Sequence, residues 1–368
     1  MQIRSLLAIV LLAFQLQVRP TAASSAEVQN FATSTGGHHS QGGHHHGGRP
    51  RSPKGLLVAP LHQIVNFDLP HSTSHLIEVR SGRSNLHLSL DAQFTDLIVN
   101  SGKYNPKLSP KSVNTKQPFN VTRTDYEKAV GSLYTDTFSI AGLTIQHFPI
   151  GLGKNKWLNA PAADGLLGFA LAWPSEVPGP NVPFLAALKQ SGAIKSASMG
   201  LALWKQGGEV SFGGANPKKF KGKMEWVDVP ARFPFWSTPG KLGGVDDVLI
   251  TMDTQRMTVN APRGIADKIF KTLPGAILYT DEFGISSARY PCNKAPQIMV
   301  EFGCVKVPVG GATDVKYGPD PTFCVAPVAG VDDTAVPNGD VIAGAYLYSN
   351  LYAVVDMEKG AVGYAARA

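Results

Sequence analysis

The sequence lacks dense blocks of charge and, beyond its first residues, long apolar runs. Charged residues make up only 17% of the 368 residues, and the Lys and Arg are spread along the chain despite a formal net charge of +7. The one dense basic run, Lys218, Lys219, Lys221 and Lys223, is typical of a solvated strand edge. No later segment reaches the length of about 18 apolar residues that a membrane span needs. We therefore expect neither a nucleic-acid partner nor a membrane partner.

Long helical repeats are also missing, whereas 38 glycines and 27 prolines divide the chain into short segments. Short apolar runs separated by Gly, Pro, Asn and Asp favour strands joined by turns, and hence an all-β protein. A hydrophobic content of 43% over this length is enough for two cores, so two lobes are expected. The helical exceptions are segments 184–190 and 265–272, which follow Pro183 and Pro262.

Two parts of the sequence repeat one plan. The apolar triplet 97–99 leads into Asn100-Ser101-Gly102, and an apolar pair, 249–250, leads into Asp253-Thr254-Gln255. Each is followed much later by an apolar stretch that ends in glycine, 165–168 in the first part and 341–344 in the second. This repetition predicts two similar lobes, related by a pseudo-twofold axis, with a cleft between them.

Cysteine is scarce, with three residues, Cys292, Cys304 and Cys324, all in the last quarter of the chain. An odd count leaves at least one of them without an intrachain partner. Cys304 follows a strand-like apolar segment, 298–302, which favours a buried and unreactive thiol at that position.

The N-terminus predicts export. A positive start, an apolar run at 6–14 and the small residues Thr21-Ala22-Ala23 are typical of a signal peptide over residues 1–23. We therefore expect a secreted, extracellular protein. Asn120-Val121-Thr122 is then a sequon for glycosylation at Asn120.

Residues 24–54 are rich in Ser, Gly and His and poor in large apolar groups, which predicts a disordered segment. It contains five histidines that could capture a metal ion weakly: His38, His39, His44, His45 and His46. Their spacing fixes no coordination geometry, and no cysteine or carboxylate joins them. We therefore expect no structural metal site and no cofactor.

Several stretches resemble pepsin-like aspartic proteases. The segments that carry the resemblance are Asp164-Gly165-Leu166-Leu167-Gly168-Phe169-Ala170, Gly208-Glu209-Val210-Ser211-Phe212-Gly213-Gly214, and the closing segments 342–344, 352–356 and 362–365. Trp173-Pro174 is similar to nematode members in particular. The resemblance implies a bilobal β-barrel fold, with an N-terminal lobe over 55–205 and a C-terminal lobe over 206–368. It also implies a monomer with a peptide or protein ligand in the cleft, and a disulfide between Cys292 and Cys324.

In this family each lobe supplies one catalytic aspartate from an Asp-Thr-Gly motif, and neither motif is intact here. The C-terminal motif falls on Asp253-Thr254-Gln255, so that Gln255 replaces glycine. The N-terminal motif is assigned to Asn100-Ser101-Gly102, so that Asn100 replaces the aspartate. Lys103 and Arg256 put a cation next to each motif. The family's chemistry needs two carboxylates that share one proton across a bound water, so a catalytically inactive peptide-binding or decoy protein is expected.

Two alternatives stay open at this point. One is an active aspartic endopeptidase at acidic pH, in which Asp253 acts alone or another carboxylate such as Asp91, Asp96 or Asp125 completes the pair. None of these three lies in the loop assigned to face Asp253, and a turn or surface charge is the ordinary interpretation of each. The other is a metal-handling protein whose His-rich segment matters more than its lobes. Tyr126 is either the tyrosine of the hairpin that covers the cleft in this family or an ordinary surface residue.

Overall fold

The computed structural model describes residues 56–65, 73–122, 128–155, 163–171, 182–204, 207–231, 233–281, 284–310, 316–317, 320–332 and 339–368. The expected signal peptide, the His-rich segment with its weak metal ligands, Trp173-Pro174, Asp125 and Tyr126 lie outside these residues. The predictions made for them are therefore not tested by the fold.

The described residues form two β-sheets and three short α-helices, which confirms the all-β prediction. The helices are α1 (Phe184–Gln190), α2 (Arg263–Lys271) and α3 (Ala345–Tyr348). The strands, in chain order, are β1 (Leu57–Val65), β2 (Thr73–Ser81), β3 (Ser84–Asp91), β4 (Leu97–Asn100), β5 (Val113–Thr122), β6 (Lys128–Ile140), β7 (Leu143–Asn155), β8 (Gly165–Gly168), β9 (Ser198–Trp204), β10 (Gly207–Phe212), β11 (Phe220–Asp228), β12 (Ser237–Leu242), β13 (Val245–Met252), β14 (Val259–Pro262), β15 (Ile277–Thr280), β16 (Ser286–Pro291), β17 (Met299–Phe302), β18 (Val305–Pro308), β19 (Lys316–Tyr317), β20 (Asp320–Val325), β21 (Val328–Val331), β22 (Val341–Ala343), β23 (Leu351–Asp356) and β24 (Ala361–Arg367).

Local sequence explains the main elements. Helix α1 begins directly after Pro183, as predicted, and α2 begins directly after Pro262, two residues before the predicted start at 265. A proline favours a helix start because it presets the backbone and has no N–H to leave unpaired. In β18 buried side chains alternate with exposed or partly buried ones, whereas all six residues of β23 are buried. A strand that is buried throughout lies inside the molecule rather than at its surface.

The first sheet joins distant parts of the chain. Within the described residues its order is β11-β24-β23-β9-β10-β1-β2-β3-β8-β4-β7-β6-β5. The second sheet has the order β18-β17-β12-β13-β22-β14-β21-β16-β20-β19, with β15 beside β16. The predicted lobe boundary at 205/206 lies between β9 and β10, which pair with each other in the first sheet. The two lobes are therefore tied by a continuous sheet that also contains the C-terminal strands.

Each sheet contains the same four-strand unit, which accounts for the repeated plan in the sequence. In the first sheet β8 runs parallel to β3 and antiparallel to β4, and β4 is parallel to β7. In the second sheet β22 runs parallel to β13 and antiparallel to β14, and β14 is parallel to β21. The glycine-ending stretches 165–168 and 341–344 are thus equivalent, as the pseudo-twofold prediction requires.

The cysteines confirm one prediction and correct another. Cys292 and Cys324 form a disulfide, as the resemblance implied. Cys304 is a free cysteine but it is exposed, so the prediction of a buried thiol is wrong. The physical reason is that Gly303, with a φ of 55°, and Cys304 form the turn between β17 and β18 rather than part of a strand. The Cys304 thiol donates a hydrogen bond to the Glu225 carboxylate, with a distance of 3.2 Å from Sγ to Oε2.

The Glu225 carboxylate raises the pKa of the Cys304 thiol above its usual value, chiefly through this hydrogen bond. We expect native protein to incorporate one iodoacetamide per chain, and Glu225→Gln to speed that reaction about threefold near neutral pH because the thiolate becomes more abundant. The matched control is Glu301→Gln, which removes a different carboxylate from the β17–β18 hairpin that carries Cys304. Equal labelling rates in the wild type and Glu225→Gln would contradict this explanation.

Candidate active site

Asp91 and Asp253 occupy equivalent positions in the two four-strand units. In the first unit Leu90 and Leu97 both pair with Leu167. In the second unit Met252 and Val259 both pair with Ala343. Since Asp91 follows Leu90 and Asp253 follows Met252, the registers place the two aspartates at the same point of each unit.

The two carboxylates are held in the same way. The backbone N–H of Gln93 donates to Oδ1 of Asp91 at 2.8 Å, and that of Gln255 donates to Oδ1 of Asp253 at 2.7 Å. Asp91 and Asp253 are only 1% and 5% exposed. Each loop therefore folds back on its own aspartate, a local turn that aspartate favours, and orients a buried carboxylate.

Thr254 joins the two loops. Its hydroxyl donates to the carbonyl oxygen of Leu90 at 2.7 Å and accepts from the backbone N–H of Ala92 at 3.2 Å. The chain on both sides of Asp91 thus contacts the residue that follows Asp253. The equivalent position in the first loop is Ala92, which has no hydroxyl, so this connection is made by one side chain rather than by two.

The assignment of the first motif to Asn100 is wrong. The backbone N–H of Asn100 donates to Asp164 at 2.9 Å, whereas Asp91 pairs with Gly168 at the opposite end of β8. Four residues of strand separate these points, which is about 13 Å. Ser101 and Gly102, the rest of the assigned motif, lie in an exposed turn. Asn100 ends β4 and is equivalent to Pro262, which ends β14.

The triplet 97–99 resembles the apolar segment before Asp253 in sequence. Its structural equivalent, however, is the strand after Asp253, β14. The sequence did contain a usable signal. Asp91-Ala92-Gln93 and Asp253-Thr254-Gln255 share an Asp-x-Gln pattern, and the next strand begins six residues after each aspartate.

Glutamine replaces the family's glycine in both loops without unusual backbone geometry. Among the described residues other than glycine, those with positive φ are Lys116, Ala141, His147 and Asp247, so Gln93 and Gln255 are not in the left-handed region. Each glutamine also keeps its backbone hydrogen bond to the aspartate.

Asp253 is paired with a cation. The Arg256 guanidinium donates from Nε to Oδ2 of Asp253 at 2.9 Å. Together with the Gln255 N–H on Oδ1, this contact engages both oxygens of the carboxylate. A permanently charged group in contact with one of the two acids changes the electrostatics of the site.

Comparisons with known proteins identify the family of this chain. A family model described as eukaryotic aspartyl protease matches residues 77–367. The chain belongs to the eukaryotic aspartyl protease family. This family assignment and the two sheets confirm the bilobal pepsin-like fold.

Three relatives show how far the sequence of this chain has diverged from other members of the family. Secreted aspartyl protease 1 of Malassezia globosa is 25% identical over 289 residues, 78% of this chain and 72% of that protein. Major aspartyl peptidase 1 of Cryptococcus neoformans is 23% identical over 322 residues, 79% of this chain and 65% of that protein. Aspergillopepsin-1 of Aspergillus oryzae is 24% identical over 356 residues, 90% of this chain and 86% of that protein. These relatives are fungal, and the likeness to nematode members stays a prediction.

The remaining predicted features are the hairpin over the cleft, the glycosylation site and the metal ligands. The hairpin of β5 and β6 is present, although Tyr126 between them is outside the described residues. Asn120 is exposed on β5, so the structure leaves its side chain accessible for a glycan. Within the described ranges there is no group of three or more His, Cys, Asp or Glu that could hold a metal ion.

A buried histidine contacts the loop of Asp253. Nδ1 of His75, on β2, lies 3.4 Å from the carbonyl oxygen of Thr254, to which it can donate. Nε2 is buried and has no hydrogen-bond partner among the described residues. Burial lowers the pKa of His75 to about 4, and the contact with the Thr254 carbonyl opposes this shift. Sequence analysis missed this residue because a single histidine in an apolar strand gives no signal of its contacts.

His75 should make this protein less stable in acid. Its pKa is about 4 in the folded chain and 6.5 ordinarily, so the unfolded chain binds the proton more readily between these values. The free energy of unfolding should therefore fall by up to about 3 kcal/mol as the pH drops from above 6.5 to about 4. His75→Gln should remove this part of the pH dependence, as measured by urea unfolding at pH 7.5 and 4.5.

The control variant is His87→Gln, which removes an exposed histidine. It shows how much the free energy of unfolding changes with pH when a histidine outside the core is lost. A His75→Gln variant with the same pH dependence as the wild type would show that His75 does not titrate as its burial requires.

Proposed function

We propose that this protein binds peptide segments in the cleft between its two lobes and does not hydrolyse them. The observation that carries the proposal is the contact of the Arg256 guanidinium with Oδ2 of Asp253 at 2.9 Å. The absence of an acid from the first loop, inferred from Asn100, is not part of the argument, because Asp91 occupies that position.

The argument against hydrolysis is electrostatic. Catalysis in this family depends on two close carboxylates that share one proton, since both cannot comfortably carry a charge. The Arg256 guanidinium cannot lose its proton and offsets one of the two negative charges. The repulsion that makes the pair share a proton is therefore weakened. The cation also uses a lone pair on Asp253 that would otherwise be available to water.

The features of the family's cleft that this chain retains support peptide binding. Two buried and matching aspartate loops, the Thr254 connection and the β5–β6 hairpin are retained beside the departures at Ala92, Gln93 and Gln255. The relatives are named proteases or peptidases, which act on polypeptides. A cleft that keeps this framework is suited to an extended peptide or a protein segment.

The proposal places the protein outside the cell. The features of residues 1–23 indicate export, and one relative is named a secreted protease. The Cys292–Cys324 disulfide is typical of an oxidising compartment. None of the helices in the described part of the chain is long and apolar enough to cross a membrane.

A second candidate function is peptide-bond hydrolysis at acidic pH. It is favoured by the equivalent positions and matching hydrogen bonds of Asp91 and Asp253. The loss of stability in acid expected from His75 counts against it, because the contribution of this residue falls in the pH range where such an enzyme works.

An assay of the purified chain separates the two candidates. With an internally quenched peptide library between pH 3 and 7, we expect no pepstatin-sensitive turnover from the wild type. Arg256→Thr removes the cation from Oδ2 of Asp253 and should raise turnover by about 100-fold over the wild-type background, the scale of one acid–base role. The same change combined with Gln93→Gly and Gln255→Gly restores the family's residues more fully.

Two variants serve as controls for this assay. Arg256→Lys keeps a cation and should stay inactive, and Asp91→Asn in the Arg256→Thr background should abolish the restored activity. Pepstatin-inhibited turnover by the wild type would overturn the non-hydrolytic proposal in favour of the endopeptidase.

A further inference from the structure

Arg256 has unused hydrogen-bonding capacity beside the acid pair. Only its Nε contacts Asp253, and its two terminal nitrogens have no hydrogen-bond partner in the ranges that the structure describes. The side chain of Arg256 is 36% exposed, whereas that of Asp253 is 7% exposed. The guanidinium thus lies between a buried carboxylate and solvent.

The geometry of a guanidinium decides what can use this capacity. Its five N–H groups lie in one plane, and the edge formed by the two terminal nitrogens is opposite Nε. Because Nε faces Asp253, that edge faces away from it. Two parallel N–H groups at this spacing match the two oxygens of a carboxylate, and such paired contacts are short and strong.

We propose that Arg256 selects peptides that present a carboxylate to its terminal nitrogens, next to Asp253. The carboxylate comes either from an Asp or Glu side chain or from the C-terminus of the peptide. This inference rests on the proposed peptide binding in the cleft and adds the class of ligand. One cation then bridges two acids, Asp253 through Nε and the ligand through the terminal edge.

The main effect that opposes binding of such a ligand is electrostatic repulsion between its carboxylate and the two aspartates. It acts over a longer distance than the direct contact, because the guanidinium lies between the ligand carboxylate and Asp253. Charge-assisted hydrogen bonds to a partly buried cation outweigh a screened repulsion of this kind. The formal net charge of +7 also favours the approach of acidic peptides.

The test uses the full secreted chain and a random octapeptide mixture, in one free-acid and one amidated preparation. Peptides retained by the immobilised protein at pH 7 are sequenced by mass spectrometry, at about 50 mM and 500 mM salt. We expect Asp and Glu to be enriched about 10-fold over Asn and Gln at one or two adjacent positions, or free-acid peptides to be enriched over amidated ones. The enrichment should decrease at high salt.

Variants assign the selection to Arg256. Arg256→Gln should reduce the enrichment to about onefold, and Arg256→Lys should retain a smaller part of it because a single ammonium cannot make the paired contact. Arg80→Gln removes an equal charge from an exposed position on β2 and should keep the wild-type enrichment.

The outcomes separate this inference from the proposal on which it rests. Peptides retained without acidic enrichment, or with the same enrichment in Arg256→Gln, would overturn the role of Arg256 and leave peptide binding intact. No retention of any peptide by the wild type would overturn both.

Discussion

One hydroxyl group, that of Thr254, joins the two aspartate loops directly. It bonds the chain immediately before and immediately after Asp91, and so fixes the loop of one lobe against the loop of the other. Hydrogen bonds of this kind contribute about 1 kcal/mol each, but a buried group left unpaired costs more. Because Ala92 supplies no matching hydroxyl, the loops have no second connection of this type. Thr254 therefore helps to set the position of Asp91 relative to Asp253, together with the backbone hydrogen bond from Thr73 on β2 to the carbonyl oxygen of Gln255 at 3.0 Å.

In the proposed function, Arg256 limits what the two acids can do. The family's fold, its paired loops and its backbone contacts to each carboxylate are present, and the departures are side chains added at the centre of the site. The Arg256 guanidinium places a permanent positive charge on one of the two carboxylates. In the proposed function the same framework holds a peptide without activating water, and the exposed edge of the guanidinium contributes to the choice of peptide.

Much of the fold could be predicted because its signals are local. Pro183 and Pro262 mark the starts of α1 and α2, and the glycine-ending stretches 165–168 and 341–344 mark β8 and β22. The location of the first acid was misassigned because the triplet 97–99 resembles any short buried strand. Only strand register distinguishes a strand that precedes an aspartate from one that follows it, and register depends on contacts between distant residues.

The remaining features depend on tertiary contacts that no single segment encodes. Cys304 is exposed because a two-residue turn forms there, although the apolar run before it indicated continued strand. His75 is buried against Thr254 because β2 packs beside a loop almost 180 residues away in sequence. The pairing of Arg256 with Asp253 was suggested by their separation of three residues, but its geometry follows from the turn at Gln255.

The central claim is that Asp91, and not Asn100, is the group opposite Asp253. A high-resolution crystal structure of the wild-type chain tests it most directly, through the distance from Asp253 to the nearest polar side chain of the other lobe. The account predicts that this side chain is Asp91, within direct or single-water hydrogen-bonding reach, with Arg256 on the other oxygen of Asp253. A structure in which Asn100 faces Asp253, with Asp91 about 13 Å away along β8, would contradict it.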